Sequence, residues 1–307
     1  MKTKGIPNSE KSKIHPVLVS AVSDNHWTEH TQHTEIIKRS YPGQKLIIYD
    51  LGLSDERISK IKSDEFYEYR KFEFKKYPWH VRLLWNFSWK ILIWREVLLE
   101  HKALQYFDSS IWLRNSSSAA IQDKIFQKGA DFLYYIKPAG HDITTHVHPG
   151  MYNYLPFDYV RDMDPQNVLM RMPGAVIIYN TEYLKDKILK WAFLCALTRD
   201  CIAPLGSMKG CGKPNRWMYD QEMYADMYEM PYLTEDGLKG RKPDKHWLTC
   251  HRFDQALLSI LWANELDNDF SSITLAKNDT NNFAFLTRSH EKKLIVGEDG
   301  KPITVDE

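Results

Sequence analysis

The stretch Ala103-Leu-Gln-Tyr-Phe-Asp-Ser-Ser110 decides the fold. A short apolar run cut off by a carboxylate and two hydroxyls reads as a buried strand that ends in a turn. Ligands of open α/β sheets bind outside the carboxyl ends of the strands, which puts Asp108 at the expected ligand edge. The segment leading into it, residues 88–100 (SWKILIWREVLLE), is apolar nearly all round and predicts a buried helix. Lys90 is the one long cation early in that helix. Burying it is costly without an anionic partner, and Asp108 or a phosphate would serve; the other reading is a side chain that snorkels to the surface.

Toward the N-terminus, residues 15–23 (HPVLVSAVS) predict a first strand, residues 28–40 a helix stopped by Tyr41-Pro-Gly43, and residues 45–50 (KLIIYD) a second strand that again finishes on an acid. Strand, helix and strand at these lengths make a βαβ unit, hence a parallel sheet. The expectation follows that Asp50, Asp108 and the Ser23-Asp24-Asn25 turn share one edge. Residues 70–74 alternate and predict another short strand. Toward the C-terminus the expected elements are a helix over 116–129, strands over 131–136 and 174–180, and a long helix opened by Thr181 and running to about residue 198. Residues 138–156 are irregular and histidine-rich, and 201–249 form a Gly- and Pro-punctuated excursion, read as a flap or as small helices. Residues 250–262 begin polar and become an apolar helix with Asp254 in its first turns. The predicted architecture is one α/β domain over residues 14–296, a mostly parallel sheet flanked by helices, with polar tails at 1–13 and 297–307.

A formal net charge of +1 argues against a partner of duplex nucleic acid, which selects for a basic face. Ten Trp and seventeen Tyr provide rings for a core and for stacking in a cleft. No apolar run approaches the roughly 20 residues that span a bilayer. The start is polar and lysine-rich, unlike a signal peptide, so any membrane anchor is expected outside this chain. Cys195, Cys201, Cys211 and Cys250 all lie in the second half. Together with sequons at Asn86, Asn115 and Asn278 they favour a secretory lumen and two disulfides; four reduced buried thiols are the other reading. No Cys-x-x-Cys pair suggests zinc.

Several groups could carry chemistry. Asp108-Ser109-Ser110 could hold a divalent cation or orient a ribose or diphosphate, and could equally well be a turn and cap. His141, Asp142, His146 and His148 raise a rival reading, a metal-dependent hydrolase, weakened by the lack of a further His/Asp pair at ligand spacing. Asp254 could act as a base on an acceptor hydroxyl or orient donor hydroxyls, with His251 and Arg252 placed to hold phosphate charge; alternatively it only favours the helix start. Serine-hydrolase elbows, Walker loops and the dinucleotide glycine fingerprint are absent.

The order of Val17-Leu-Val-Ser-Ala-Val-Ser23, Gln105-Tyr-Phe-Asp-Ser-Ser110, Pro173-Gly-Ala-Val-Ile-Ile-Tyr-Asn180 and His251-Arg-Phe-Asp-Gln255 resembles the GT-A layout of nucleotide-diphospho-sugar glycosyltransferases. More closely, Tyr41-Pro-Gly-Gln-Lys-Leu-Ile-Ile-Tyr-Asp-Leu-Gly52, His148-Pro-Gly-Met151, Asp200-Cys-Ile-Ala-Pro204 and Cys250-His-Arg-Phe-Asp-Gln255 are similar to a family of uncharacterised glycosyltransferases expanded in nematodes. The resemblance runs from about residue 16 to about residue 290 and implies transfer of a sugar from a UDP- or GDP-linked donor to a hydroxyl of a glycan or glycoprotein. It implies a Golgi or endoplasmic reticulum lumen, or secretion. Position by position it implies that Ser20, Ala21, Ser23 and Asp24 border the nucleotide, Lys90 meets the diphosphate or Asp108, Gly174 and Ala175 lie beside the sugar, and Arg252 and Gln255 close the donor site. Asp108 takes the place of the first D-x-D carboxylate, and Asp254 is the candidate base. The third motif position is Ser110, a poorer ligand for Mn²⁺ or Mg²⁺ than a carboxylate. Metal binding through Asp108, Ser110 and His290 therefore competes with neutralisation of the diphosphate by Lys90, Arg252 or His290, and an inactive nucleotide- or glycan-binding module is the alternative to an enzyme.

Overall fold

Strand-forming runs and an all-round apolar helix build the centre of the molecule. The computed structural model describes residues 8–11, 13–113, 127–136, 138–139, 143, 146–157, 169–208 and 249–275, and the backbone of 284–286, 294–296 and 302–304. In chain order come α1 (Asn8–Lys11), β1 (Val17–Val22), α2 (Trp27–Ser40), β2 (Leu46–Asp50), α3 (Asp55–Ser63), β3 (Tyr67–Lys71), α4 (Ser88–Glu100) and β4 (Ala103–Asp108). β5 (Ile111–Leu113), β6 (Phe132–Tyr134), β7 (Ala175–Tyr179), the helix α5 (residues 182–197), α6 (Arg199–Ile202) and α7 (Phe253–Leu266) follow. A six-stranded sheet runs in the order β3-β2-β1-β4-β7-β6. All neighbours are parallel except β7, which is antiparallel to both β4 and β6. This is the single, mostly parallel, helix-flanked α/β domain expected from the sequence.

Alternation along the strands divides the core. Val19, Ala21, Ile47, Tyr49, Leu104 and Tyr106 face one layer, where they pack with Ile91, Trp94, Leu257 and Trp262 of α4 and α7. Leu18, Leu46, Ala103, Phe107 and Ala175 face the other, with Ile37 of α2 and Tyr41. Trp94 is fully buried against Tyr106 and Phe132, so Trp94→Ala would cost about 3–5 kcal/mol.

The structure departs from the sequence expectations at several places. β3 is Tyr67–Lys71, not 70–74, because the ladder with β2 closes at the pair Asp50↔Lys71 and the chain then leaves the edge as a turn. Phe72 and Phe74 are buried beyond the strand rather than alternating within it. α3 was not foreseen; its DERISKIKS sequence buries only Ile61 and carries Asp55 and Glu56 in its first turn. The polar start is not all tail: the Lys11 ammonium is buried, 2.6 Å from Asp131 Oδ1, and donates to the Gly129 carbonyl at 2.6 Å. Asn86 cannot be a glycosylation acceptor in this fold, since it is fully buried, donates from Nδ2 to the His80 carbonyl and accepts from the Ser88 amide. Asn115, Asn278, His141, Asp142, Cys211, His290, most of the 116–129 helix and most of the 201–249 excursion lie outside the described residues. Cys195 and Cys201 are joined by a disulfide that ties α5 to α6, and Cys250 is disulfide-bonded as well. No helix among the described residues is long and apolar enough to cross a membrane.

Candidate functional site

The carboxyl ends of β1, β2, β4 and β6 and the start of β7 lie along one edge of the sheet, which brings together the residues singled out in sequence. Lys90, in the first turn of α4, donates from Nζ to Asp254 Oδ2 at 2.7 Å and to Asp108 Oδ2 at 3.0 Å. Its ammonium lies 5.1 Å from the Phe87 ring centre and 5.8 Å from that of Tyr106, so the charge sits against aromatic faces as well as carboxylates. The Tyr106 hydroxyl donates to Asp108 Oδ1 at 2.9 Å, and the Gln255 amide donates to Asp254 Oδ1 at 3.0 Å. Both helices that deliver this cluster begin on an aromatic residue held left-handed: Phe87 with φ 57° before α4, and Phe253 with φ 41° at the start of α7. Such backbone costs about 1–3 kcal/mol per residue and persists only where packing over-determines it. Here the two rings lie 6.4 Å apart, and Trp85 packs on Phe253 at 5.2 Å.

Burial separates the two acids. The Asp254 side chain is 5% exposed and that of Asp108 is 26% exposed, so only Asp108 meets solvent. Burial raises the pKa of Asp254, with Lys90 acting in the opposite direction. Burial also opposes the charge on Lys90, but Asp108 and Asp254 outweigh it and hold its pKa above the ordinary lysine value. Burial and Asp108 push the Tyr106 phenol far above its ordinary range, so it stays a neutral donor. Gly174 presses on the same group: its carbonyl accepts from the Asp108 amide at 2.7 Å, and a Cβ on it would lie 3.0 Å from Asp108 Oδ2.

Other expected site residues make contacts within the fold. Ser20, Ala21 and Ala175 are buried: Ser20 lies within β1, Ala21 stands opposite Asp108 in the β1–β4 ladder, and Ala175, the first residue of β7, stands opposite Phe107. The Asp24 carboxylate pairs with Arg57 at 2.8 Å and accepts from the Ser54 amide at 2.9 Å; Ser23 donates to Asn25 Oδ1 at 2.7 Å. Asp50 is consumed in shaping its turn, accepting from the Gly52 and Leu53 amides and the Tyr69 hydroxyl. Arg252 lies at the start of α7 and donates to Gln255 Oε1 at 3.4 Å.

His251 does not hold phosphate charge. It is fully buried, accepts on Nδ1 from the His148 amide at 3.1 Å and donates from Nε2 to the Ile202 carbonyl at 3.0 Å. Burial lowers its pKa to about 3, so it is a neutral bridge that fixes the start of α7 to the end of α6 and to the backbone at His148. His148 Nδ1 in turn accepts from the Gly150 amide at 3.0 Å. Tyr106 and His33 were missed by sequence reasoning. The His33 Nδ1–H donates to the Ile111 carbonyl just past the Asp108-Ser109-Ser110 turn, and burial lowers its pKa to about 4. A histidine on the buried face of α2 was the one available signal.

A divalent metal would find one exposed carboxylate here. Asp108 already accepts from Lys90 on one oxygen and from Tyr106 on the other. Ser110 is half-buried beside it, and no group of three His, Cys, Asp or Glu side chains suited to a metal occurs among the described residues. Hard cations take several oxygen ligands. An ammonium 3.0 Å from the only available carboxylate among the described residues competes for it, so the donor set of the described residues does not fit a firmly held Mn²⁺ or Mg²⁺.

Residues 2–95 match a family described as a protein of unknown function, DUF1647. No curated protein matches the chain. Among solved structures, the mannosyltransferase Ktr4p from S. cerevisiae is similar at 10% identity and a TM-score of 0.40, over 60% of this chain and 62% of that one. Core-mannan synthase A from Aspergillus fumigatus, in a Mn/GDP form, is similar at 10% identity and a TM-score of 0.40, over 61% of this chain and 64% of that one. The galactosyltransferase LgtC, in complex with donor and acceptor sugar analogs, is similar at 12% identity and a TM-score of 0.37, over 86% of this chain and 99% of that one. The chain thus spans less than two thirds of the two mannosyltransferases. At this level of likeness the function is left to the side chains themselves.

Proposed function

We propose that the chain is a glycosyltransferase that moves a sugar from a UDP- or GDP-linked donor to a hydroxyl of a glycan or glycoprotein. The observation that carries the reading is the convergence of Lys90, Asp108 and Asp254, from three separate elements, at the carboxyl edge of the sheet. In this reaction the bond from the sugar's anomeric carbon to the phosphate oxygen breaks and the acceptor oxygen bonds to that carbon. The nucleoside diphosphate departs with the bonding electrons, and the acceptor proton passes to a base, a role open to the surface carboxylate Asp108. Asp108 is the carboxylate at the surface, and Tyr106 and Lys90 fix its orientation; it serves to accept from donor or acceptor hydroxyls. Asp254, buried with both oxygens engaged, is a positioning residue that holds the Lys90 ammonium behind Asp108. Paired with both carboxylates and only 3% exposed, that cation holds Asp108 in place and has no charge to spare for the departing diphosphate. No step is assigned to a metal.

The same burial favours a second reading, a nucleotide- or glycan-binding module without turnover, since Asp254 offers no unengaged oxygen to an acceptor. The disulfides support placement in an oxidising compartment, a secretory lumen or the exterior. A hydrolysis and transfer screen across UDP- and GDP-sugars, with and without Mn²⁺, tests the proposal on the native chain and on Asp108→Ala. Turnover by the native chain that Asp108→Ala abolishes supports the enzyme. Retained nucleotide binding with no turnover by either protein refutes it in favour of the module.

A further inference from the structure

The disulfide between Cys195 and Cys201 closes a short loop at the junction of α5 and α6, and both residues are buried. The carbonyl that follows each cysteine receives a buried histidine. His80 Nε2–H donates to the Ala196 carbonyl at 2.9 Å, and His251 Nε2–H donates to the Ile202 carbonyl at 3.0 Å. Both carbonyls lie in the last turn of a helix, where no intrahelical partner remains, and any donor would satisfy them. These two donors, however, each lead to the start of a helix that carries a site residue. Toward α4, the His80 carbonyl accepts from Asn86 Nδ2 at 2.6 Å, and Asn86 Oδ1 accepts from the Ser88 amide at 2.9 Å. The Asn86 side chain thereby straddles the left-handed Phe87, three residues before Lys90. Toward α7, His251 stands two residues before the left-handed Phe253 and three before Asp254. His80, Asn86, Ser88 and His251 are all buried, so water does not stand in for a lost partner. Left-handed backbone at a bulky aromatic persists only where its surroundings hold it.

We propose that the Cys195–Cys201 loop is a positioning device for the site. It is a common anchor from which His80 and His251 fix the starts of α4 and α7, and with them the 2.7 Å approach of Lys90 to Asp254. The inference rests on the glycosyl-transfer reading only for taking Asp108, the carboxylate that Lys90 orients, as the working group. Closing a short ring restricts the chain between its ends, so the two carbonyls that the histidines meet keep one spacing. A misplacement of about 1 Å can cost a reaction about a hundredfold.

Hydrogen exchange followed by mass spectrometry on the folded full chain separates an anchor from a local staple. Cys195→Ala combined with Cys201→Ala should speed exchange at residues 86–91 and 253–257 together, while the central strands β1 and β2 keep their rates. The expected change is roughly threefold to tenfold, the range for about one buried hydrogen bond. His80→Leu keeps the disulfide and should speed exchange at 86–91 alone; His80→Gln, whose side-chain amide can donate from the place of Nε2, should restore it. In turnover of a UDP- or GDP-sugar, His80→Leu should lower kcat with little change in KM, and His80→Gln should recover it. A rise confined to residues 195–202 in the double variant, or a uniform rise across the sheet, overturns the anchor. So does unchanged exchange at 86–91 in His80→Leu, which decides the case should the double variant not fold. Absence of turnover by the native chain counts against the functional reading and leaves the exchange test of the anchor standing.

Discussion

Replacing Lys90 by Met tests whether the site is a buried charge cluster. The Lys90 and Asp254 side chains are 3% and 5% exposed, and Asp108 is 26% exposed, so removing the ammonium strands one carboxylate in the core while the other can hydrate. Breaking a buried pair from one side costs about 3–5 kcal/mol. At about 2 °C per kcal/mol for a chain of this size, the melting temperature should fall by roughly 6–10 °C. The loss should depend on pH in a defined direction. Asp254 without Lys90 keeps the burial that raises its pKa and loses the cation that opposed it. Its charged form is then penalised, so Lys90→Met is most destabilised at neutral pH and recovers as the pH falls and the carboxylate takes a proton. Lys90→Met with Asp254→Leu should regain most of the loss, because apolar replacement of a whole buried pair is nearly neutral. Urea unfolding of the native chain and both variants, followed by tryptophan fluorescence at two pH values, gives the stability differences, and a thermal scan gives the melting temperatures. A single-mutant loss below about 1 kcal/mol, typical of an exposed pair, would refute the buried cluster.

Gly174→Ala should displace Asp108, because the added carbon would stand 3.0 Å from its Oδ2; nucleotide-sugar turnover is expected to fall while the fold, checked by circular dichroism, persists. His251→Asn should loosen the start of α7 by losing the bridge from the His148 amide to the Ile202 carbonyl, lowering kcat more than it raises KM if Asp254 and Lys90 position the reacting groups. The neutral buried histidines His30, His33 and His251 have pKa values lowered to about 3, 4 and 3 from 6.5. The unfolded chain therefore takes up these three protons first, and stability present above pH 6.5 should fall by about 4 kcal/mol per pH unit between roughly pH 6 and pH 4, as acid titration of unfolding would show. Thiol titration of unreduced, denatured protein should count no reactive cysteine, whereas four thiols would overturn the assignment to an oxidising compartment.

The central strands were legible because parallel strands covered on both faces need continuous apolar runs, and LIIYD and ALQYFD can hardly be anything else. The strand placed at residues 70–74 was not, because Phe72 and Phe74 give the same alternating signal whether they ladder or plug a turn. α3 escaped for the opposite reason: it lies at the surface and buries a single apolar residue, so it leaves almost no periodic pattern. The site was legible in part. Lys90 and Asp254 are 164 residues apart, and each alone looks like a stray charge at the start of an apolar helix. Two such helices with opposite lone charges, each too costly to bury singly, already imply one another. What sequence could not assign was depth. Both acids were expected to face the substrate, yet the left-handed starts at Phe87 and Phe253 swing the two helices so that Asp254 closes behind Lys90 and only Asp108 reaches the edge. The choice between base and scaffold for Asp254 turns on that backbone detail, in which a bulky aromatic adopts a conformation that local sequence statistics disfavour and only the packed Phe87, Trp85 and Phe253 rings explain.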